Sequence, residues 1–250
     1  MDKTIGAQSF TIRDFCQTEK GLDESLKKVA KAGYKTIQIS GIGDIKPKKV
    51  RELCDKYGIT PLLTHRPFDE YVNKLDNVIK YHADLGVKDC GLGWLPNDKD
   101  DLNVGKDYIK QLIPQVKKLK EAGLNFGYHN HCFEFQKFGE ETLMDFLISE
   151  TDFDFIVDVY WVAFSGIDPA RFIKKLGKRA KFIHFKDLAI SGMSIEMAEV
   201  GKGNLNFDEI ISACDEAGSL CAFVEQDICK ADPFESLKIS YDYLAKKGFN

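Results

Sequence analysis

The chain has 250 residues, 44% of them hydrophobic and 30% charged, with a formal net charge of -4 at pH 7. That length suits one large domain or two small ones and is ample for a sizeable core. The weakly acidic balance argues against nucleic acid or anionic lipid as a partner, and the lack of any apolar run near the roughly 18 residues of a spanning helix argues against a membrane protein. The opening stretch MDKTIGAQSF carries no apolar leader core, so a cytoplasmic protein is expected. Its seven cysteines form no CxxC pair, which points to reduced, buried thiols rather than disulfides or a thiolate metal cluster.

In chain order, short β-rich runs alternate with longer helical patterns. The predicted strands are TIGAQSF from Thr4, KTIQIS from Lys35, ITPLLTH from Ile59, VKDCGLGW from Val87, LNFGYHNH from Leu124, FDFIVDV from Phe153, AKFIHFKD from Ala180 and LCAFVEQD from Leu220. Between them lie patterns such as LDESLKKVAKAG from Leu22, YIKQLIPQVKKLKEAG from Tyr108 and FDEIISACDEAG from Phe207, with apolar residues three and four apart. Gly33, Gly58, Gly86, Gly123 and Gly218 each follow a last helical turn, where a left-handed cap is favoured. Eight strand-helix units in this length predict an α/β fold, a (β/α)8 TIM barrel forming a single domain over residues 1–250. The rival, a doubly wound open sheet, lacks a GxGxxG after its first strand.

In such barrels the chemistry lies at the carboxyl ends of the strands. The fifth strand ends in His129 and His131 and is followed by Glu134; the sixth ends in Asp158; the seventh in His184, Lys186 and Asp187; the eighth in Glu225 and Asp227. Glu134, Asp158, His184 and Glu225 are expected to converge above the barrel. Such a carboxylate cluster is costly to bury without a cation. Three carboxylates and one imidazole suit one divalent ion, Mn2+ first, with Mg2+, Co2+ or Zn2+ as alternatives. Lys186 shares a strand face with His184 and is expected to meet a substrate oxygen, and His65, ending the third strand, is a further substrate candidate. Asp187 and Asp227 are as readily turn or cap residues. Glu134 has the opposite parity to His129 and His131, so reaching the metal requires the strand to stop near His131 and Cys132-Phe133 to turn inward. The loop Gly201-Lys202-Gly203 is expected to be flexible cover over the site.

YHNHCFEF, DVYWVAFSGIDP, IHFKD, GKGNLNF and VEQDICKADPFES, in order over residues 128 to 237, resemble the xylose isomerase-like barrels, in particular the sugar phosphate isomerase/epimerase branch. The amino-terminal half resembles them in cadence alone. The resemblance implies a metal-dependent isomerase or epimerase with Glu134, Asp158, His184 and Glu225 as metal ligands. It also implies His129, His131, Trp161 and Lys186 at substrate. The DNA-repair endonucleases of the superfamily carry a His where this chain has Trp161 and need more His and Asp ligands.

The expected reaction is proton transfer on a hydroxy-ketone or hydroxy-aldehyde sugar or polyol, through an enediolate stabilised by the ion, with Glu134 and Glu225 as the proton-transferring groups. The same intermediate can epimerise, isomerise, lose a β-hydroxyl as a dehydratase does, or cleave a keto-glycoside. A non-catalytic sugar-binding protein on this fold is the alternative from another class. The chain is short, leaving little material for a lid, so a homo-oligomer in which a partner subunit completes the pocket is a further expectation.

Overall fold

The computed structural model describes residue 1, residues 3–96 and residues 101–250. All eight expected runs form strands: β1 (Ile5–Gln8), β2 (Thr36–Ile39), β3 (Thr60–Arg66), β4 (Asp89–Leu92), β5 (Asn125–His129), β6 (Asp154–Asp158), β7 (Ala180–Phe185) and, last in the chain, β10 (Cys221–Val224). They pair in parallel and close in the order β1-β10-β7-β6-β5-β4-β3-β2, which is the expected barrel. Between β7 and β10 the chain inserts an antiparallel hairpin, β8 (Asp187–Ser191) and β9 (Ser194–Ala198). Its tip leaves Ile190, Met193 and Ile195 exposed.

Ten helices accompany the strands among the described residues. They include α1 (Glu19–Ala32), α4 (Leu75–Leu85), α5 (Leu102–Glu121), α7 (Val159–Phe164), α9 (Phe207–Ala217) and α10 (Pro233–Lys246). The five glycines expected at helix ends all take positive φ. Gly33, Gly86 and Gly218 are themselves the left-handed caps of α1, α4 and α9. No helix among the described residues is long and apolar enough to cross a membrane. All seven cysteines are free, and burial pushes the Cys54, Cys90 and Cys214 thiols up to about 12.

Strand alternation divides the core in two. Outward residues such as Ile37, Phe126, Tyr128, Phe155, Val157 and Phe185 pack under the helices. Inside the barrel a smaller plug forms from Leu63, Ile156, Phe182, Cys221 and Phe223. Glycine makes room for it: a Cβ at Gly91 would lie 2.4 Å from Cδ1 of Ile156, and one at Gly127 would lie 2.9 Å from its Cγ1. With the lower barrel filled this way, the next inward positions form a floor facing the carboxyl ends of the strands.

Candidate active site

That floor is polar. The inward residues one step above the plug are Gln8 on β1, Gln38 on β2, His65 on β3, His129 on β5, Asp158 on β6, His184 on β7 and Glu225 just past β10. Registers pair His184 with Asp158 and, on its other side, with Phe223 of the plug, so the floor steps up by two residues at Glu225. A cavity of about 950 Å³ opens above, walled by His65, Trp94, His131, Trp161, Lys186 and Glu225 among others.

Four side chains converge: donor atoms of His129, Asp158, His184 and Glu225 all lie within 4.8 Å of one another, and all four residues are buried. Nδ1 of His184 is 2.8 Å from Oε2 of Glu225, and Nε2 of His129 is 3.5 Å from Oδ2 of Asp158. Three of the four expected ligands therefore meet, and the fourth place is taken by His129, which the sequence had suggested for substrate.

Glu134 lies elsewhere. Strand β5 stops at His129, two residues earlier than the metal role for Glu134 requires, and a 3-10 turn over Phe133–Phe135 follows. That turn carries the Glu134 carboxyl to the outer face of the sheet, where Oε1 accepts from the Tyr128 hydroxyl at 2.8 Å and Oε2 from the His131 amide at 2.8 Å. Tyr128 and Glu134 have the same parity, and Tyr128 points into the layer between barrel and helices. The structure thus uses Glu134 to brace the end of β5, not to complete the cluster.

Asn130, which sequence reasoning passed over, completes the brace. Its Oδ1 accepts from the Asp158 amide at 3.0 Å and its Nδ2 donates to the Asp158 carbonyl at 3.4 Å, tying the ends of β5 and β6 together. Asp158 caps α7, its Oδ1 accepting from the amides of Tyr160 and Trp161, so Oδ2 is the oxygen turned to the cluster.

Lys186 is buried among carboxylates rather than open to solvent. Its Nζ lies 3.3 Å from Oδ2 of Asp158, 3.6 Å from Oε2 of Glu225 and 2.7 Å from Oδ2 of Asp227. Burial works against its charge, but the three carboxylates outweigh burial and hold its pKa above the ordinary lysine value. For Glu225 burial is likewise outweighed, by Lys186 and His184, and its carboxyl stays well below the usual range. Asp227 is pushed up to about 6 by burial and by Glu225, with Lys186 opposing. Among the described residues, the three carboxylates around the Lys186 ammonium leave an excess of two negative charges, the charge of one divalent cation.

The imidazoles suit such a guest. Burial is the first cause that lowers the pKa of His129, and it lowers those of His65 and His131 well below the ordinary value, so these rings are neutral near pH 7 with lone pairs to offer. Among the described residues, neither ring nitrogen of His129 has a hydrogen-bond partner, nor have Nε2 of His65, Nδ1 of His131 and Nε1 of Trp161. Buried polar atoms left bare around one point mark a place where a bound group completes the structure. The donor set, two imidazoles and two carboxylates at this spacing, fits a single divalent ion with bonds of about 2.0–2.2 Å.

The other expected substrate residues also reach the cavity. His65 lies tilted against His129 and His184, with ring centroids 5.1 and 5.7 Å away, and Trp161 lies 5.6 Å from His131. Trp94 was not foreseen, although it ends the fourth predicted strand; its ring sits 4.3 Å from that of His131 and is 49% exposed on the cavity wall. Asp187 takes the plainer role. Its carboxylate accepts from the amides of Leu188, Gly201, Gly203 and Leu205 and folds the 201–205 loop beneath the hairpin. A Cβ at Gly203 would lie 2.4 Å from Oδ1 of Asp187, so that loop is fastened rather than a loose cover.

Residues 26–245 match the family model of the xylose isomerase-like TIM barrel. The chain belongs to that family. Among curated relatives, an inosose dehydratase of Lacticaseibacillus casei is 24% identical over 270 residues, covering 90% of this chain and 89% of its own. Among solved structures, a sugar phosphate isomerase/epimerase of Parabacteroides distasonis is 25% identical with a TM-score of 0.76, covering 97% of this chain and 94% of that one. A second such protein from the same organism, 22% identical, shares the fold with a TM-score of 0.80, covering 97% of each chain.

Proposed function

We propose that this family member is a divalent-metal-dependent enzyme that removes a proton beside the carbonyl of a keto-sugar or keto-polyol and expels a β-hydroxyl as water. The observation that carries the reading is the buried four-residue cluster, with the excess of two negative charges around Lys186 and the His129 nitrogens that have no partner among the described residues. His129 Nε2, Asp158 Oδ2, His184 Nδ1 and Glu225 would hold the ion. When bound, it supplies Lewis-acid polarisation of the substrate carbonyl. Two imidazoles in the set weigh against Mg2+ and toward Mn2+, Co2+ or Zn2+.

The chain's own groups supply the rest. Glu225 takes the α-proton and the C–H electrons become the C=C bond of an enediolate. Those electrons then re-form the carbonyl and make the α–β double bond as the β C–O bond breaks. The hydroxyl leaves as water with the proton Glu225 carries, while Lys186, the cation on the cavity wall, donates a hydrogen bond to the departing oxygen. His65, His131 and Trp161 offer bare polar atoms to substrate hydroxyls, and Trp94 offers an aromatic face to the apolar side of a sugar ring. With Glu134 turned away, the donor cluster has one glutamate rather than two, so a carboxylate on each face of the substrate carbon, as epimerisation requires, lacks support. Elimination needs only one base, and the curated relatives are dehydratases of an inosose.

Isomerisation or epimerisation is the second reading, favoured by the sugar phosphate isomerase/epimerase at 25% identity. Incubating the Mn2+-loaded protein with an inosose and with ketoses in deuterated water, followed by mass spectrometry, separates the two. Loss of one water, with deuterium entering at the former β-carbon as the product enol ketonises, supports elimination; deuterium without water loss supports the isomerase reading. No exchange in any sugar, with no metal by elemental analysis, would sink both and leave a sugar-binding protein.

A further inference from the structure

Gln38 stands on β2, fully buried, and reaches across the barrel floor to β7, where its Oε1 lies 2.7 Å from Nε2 of His184. The opposite nitrogen of that ring, Nδ1, faces Oε2 of Glu225 at 2.8 Å. An imidazole can offer a lone pair to a metal on one nitrogen only if its hydrogen sits on the other, and the partner of that other nitrogen decides which arrangement is stable. A carboxamide oxygen only accepts, so it holds the hydrogen on Nε2. With the amide reversed, its N–H would demand the Nε2 lone pair, the hydrogen would move to Nδ1, and His184 would bond to Glu225 instead of presenting a free nitrogen beside it.

We propose that Gln38 is the positioning residue that fixes the hydrogen of His184 on Nε2, leaving Nδ1 as the atom that takes the metal. A second observation supports a role beyond filling space. Gln38 Nε2 is buried with no hydrogen-bond partner among the described residues, which destabilises the fold, so Leu or Met would serve packing better. What the amide adds is an acceptor at the one place where the ring needs it. The inference rests on the reading of His184 and Glu225 as metal ligands.

The test combines spectroscopy on the wild-type chain with two variants. In the zinc-loaded protein, long-range proton-nitrogen NMR of labelled histidine should show His184 protonated at Nε2 and metal-shifted at Nδ1. Gln38→Leu should weaken zinc binding by about 10–100-fold, the usual effect of removing a partner of a ligating histidine, while the metal-free protein melts within a few degrees of wild type. Gln38→Glu keeps an oxygen at Nε2 and should restore affinity to within a few-fold. Wild-type affinity in Gln38→Leu, or a hydrogen found on Nδ1 of the zinc form, would overturn the assignment alone. Failure of the wild-type chain to bind zinc or manganese would overturn the metal site itself and this inference with it.

Discussion

Glu134 and Glu225 occupy similar places in the sequence signature but opposite roles in the structure, and exchanging each for a neutral residue should separate those roles. Glu134→Ala leaves two buried donors, the Tyr128 hydroxyl and the His131 amide, without their acceptors. Each such loss costs about 1–3 kcal/mol, so about 2–6 kcal/mol in all. For a chain of this length that lowers the melting temperature by roughly 5–20 °C, while His129, Asp158, His184 and Glu225 keep the ion. Glu225→Gln should act on the metal instead. It preserves shape but removes a ligand oxygen and one of the two excess charges, so metal affinity should fall by more than the roughly 10–100-fold seen for outer partners. The metal-free protein should also lose some stability, because Lys186 and His184 lose the carboxylate they hold in its charged form. Calorimetric melting in chelator gives the stabilities and titration with Mn2+ or Zn2+ the affinities. Loss of metal binding in Glu134→Ala at an unchanged melting temperature, with binding retained in Glu225→Gln, would refute the placement of both glutamates.

Other consequences are as direct. His82 is buried, bonded to Thr64 Oγ1 and the Val78 carbonyl, and burial holds its pKa below the ordinary 6.5. The unfolded chain then binds the proton first, so this contribution is complete above about pH 6.5 and is lost as pH falls through the folded value. Chemical unfolding of metal-free protein should show His82→Gln losing less stability than wild type on acidification, and identical slopes would rule the contribution out. Asp187→Ala removes the acceptor of four amides and should expose the 201–205 loop to rapid hydrogen exchange and proteolysis, with little effect on metal affinity. Gly91→Ala forces a methyl against Ile156 and should destabilise the barrel by about 1–3 kcal/mol in denaturant titration, an effect that Gly91→Ala with Ile156→Val should partly relieve. Dialysis against a chelator should lower the melting temperature of protein purified with Mn2+, and re-addition should restore it.

By itself the sequence determined the architecture and the level of the site. Eight β-rich runs with helices between them admit a parallel barrel because each strand needs both faces covered, and the local alternation of side chains tells which residues share a face. From that alone Asp158, His184 and Glu225 could be set in one layer, and the structure does bring them together. Tertiary structure decided the rest. Whether Glu134 or His129 joins them depends on where β5 stops, which is set by the Asn130 link to β6 and by the brace of Glu134 on Tyr128 and His131. Alternation assigns faces only while a strand continues, and one turn after its end reverses them. Gln38 and Lys186 take their meaning from closure: β2 and β7 are distant in sequence, yet the closed barrel brings Gln38 to within 2.7 Å of His184. Lys186 meets three carboxylates from two other strands there, a balance of charge that exists only once the barrel has excluded water.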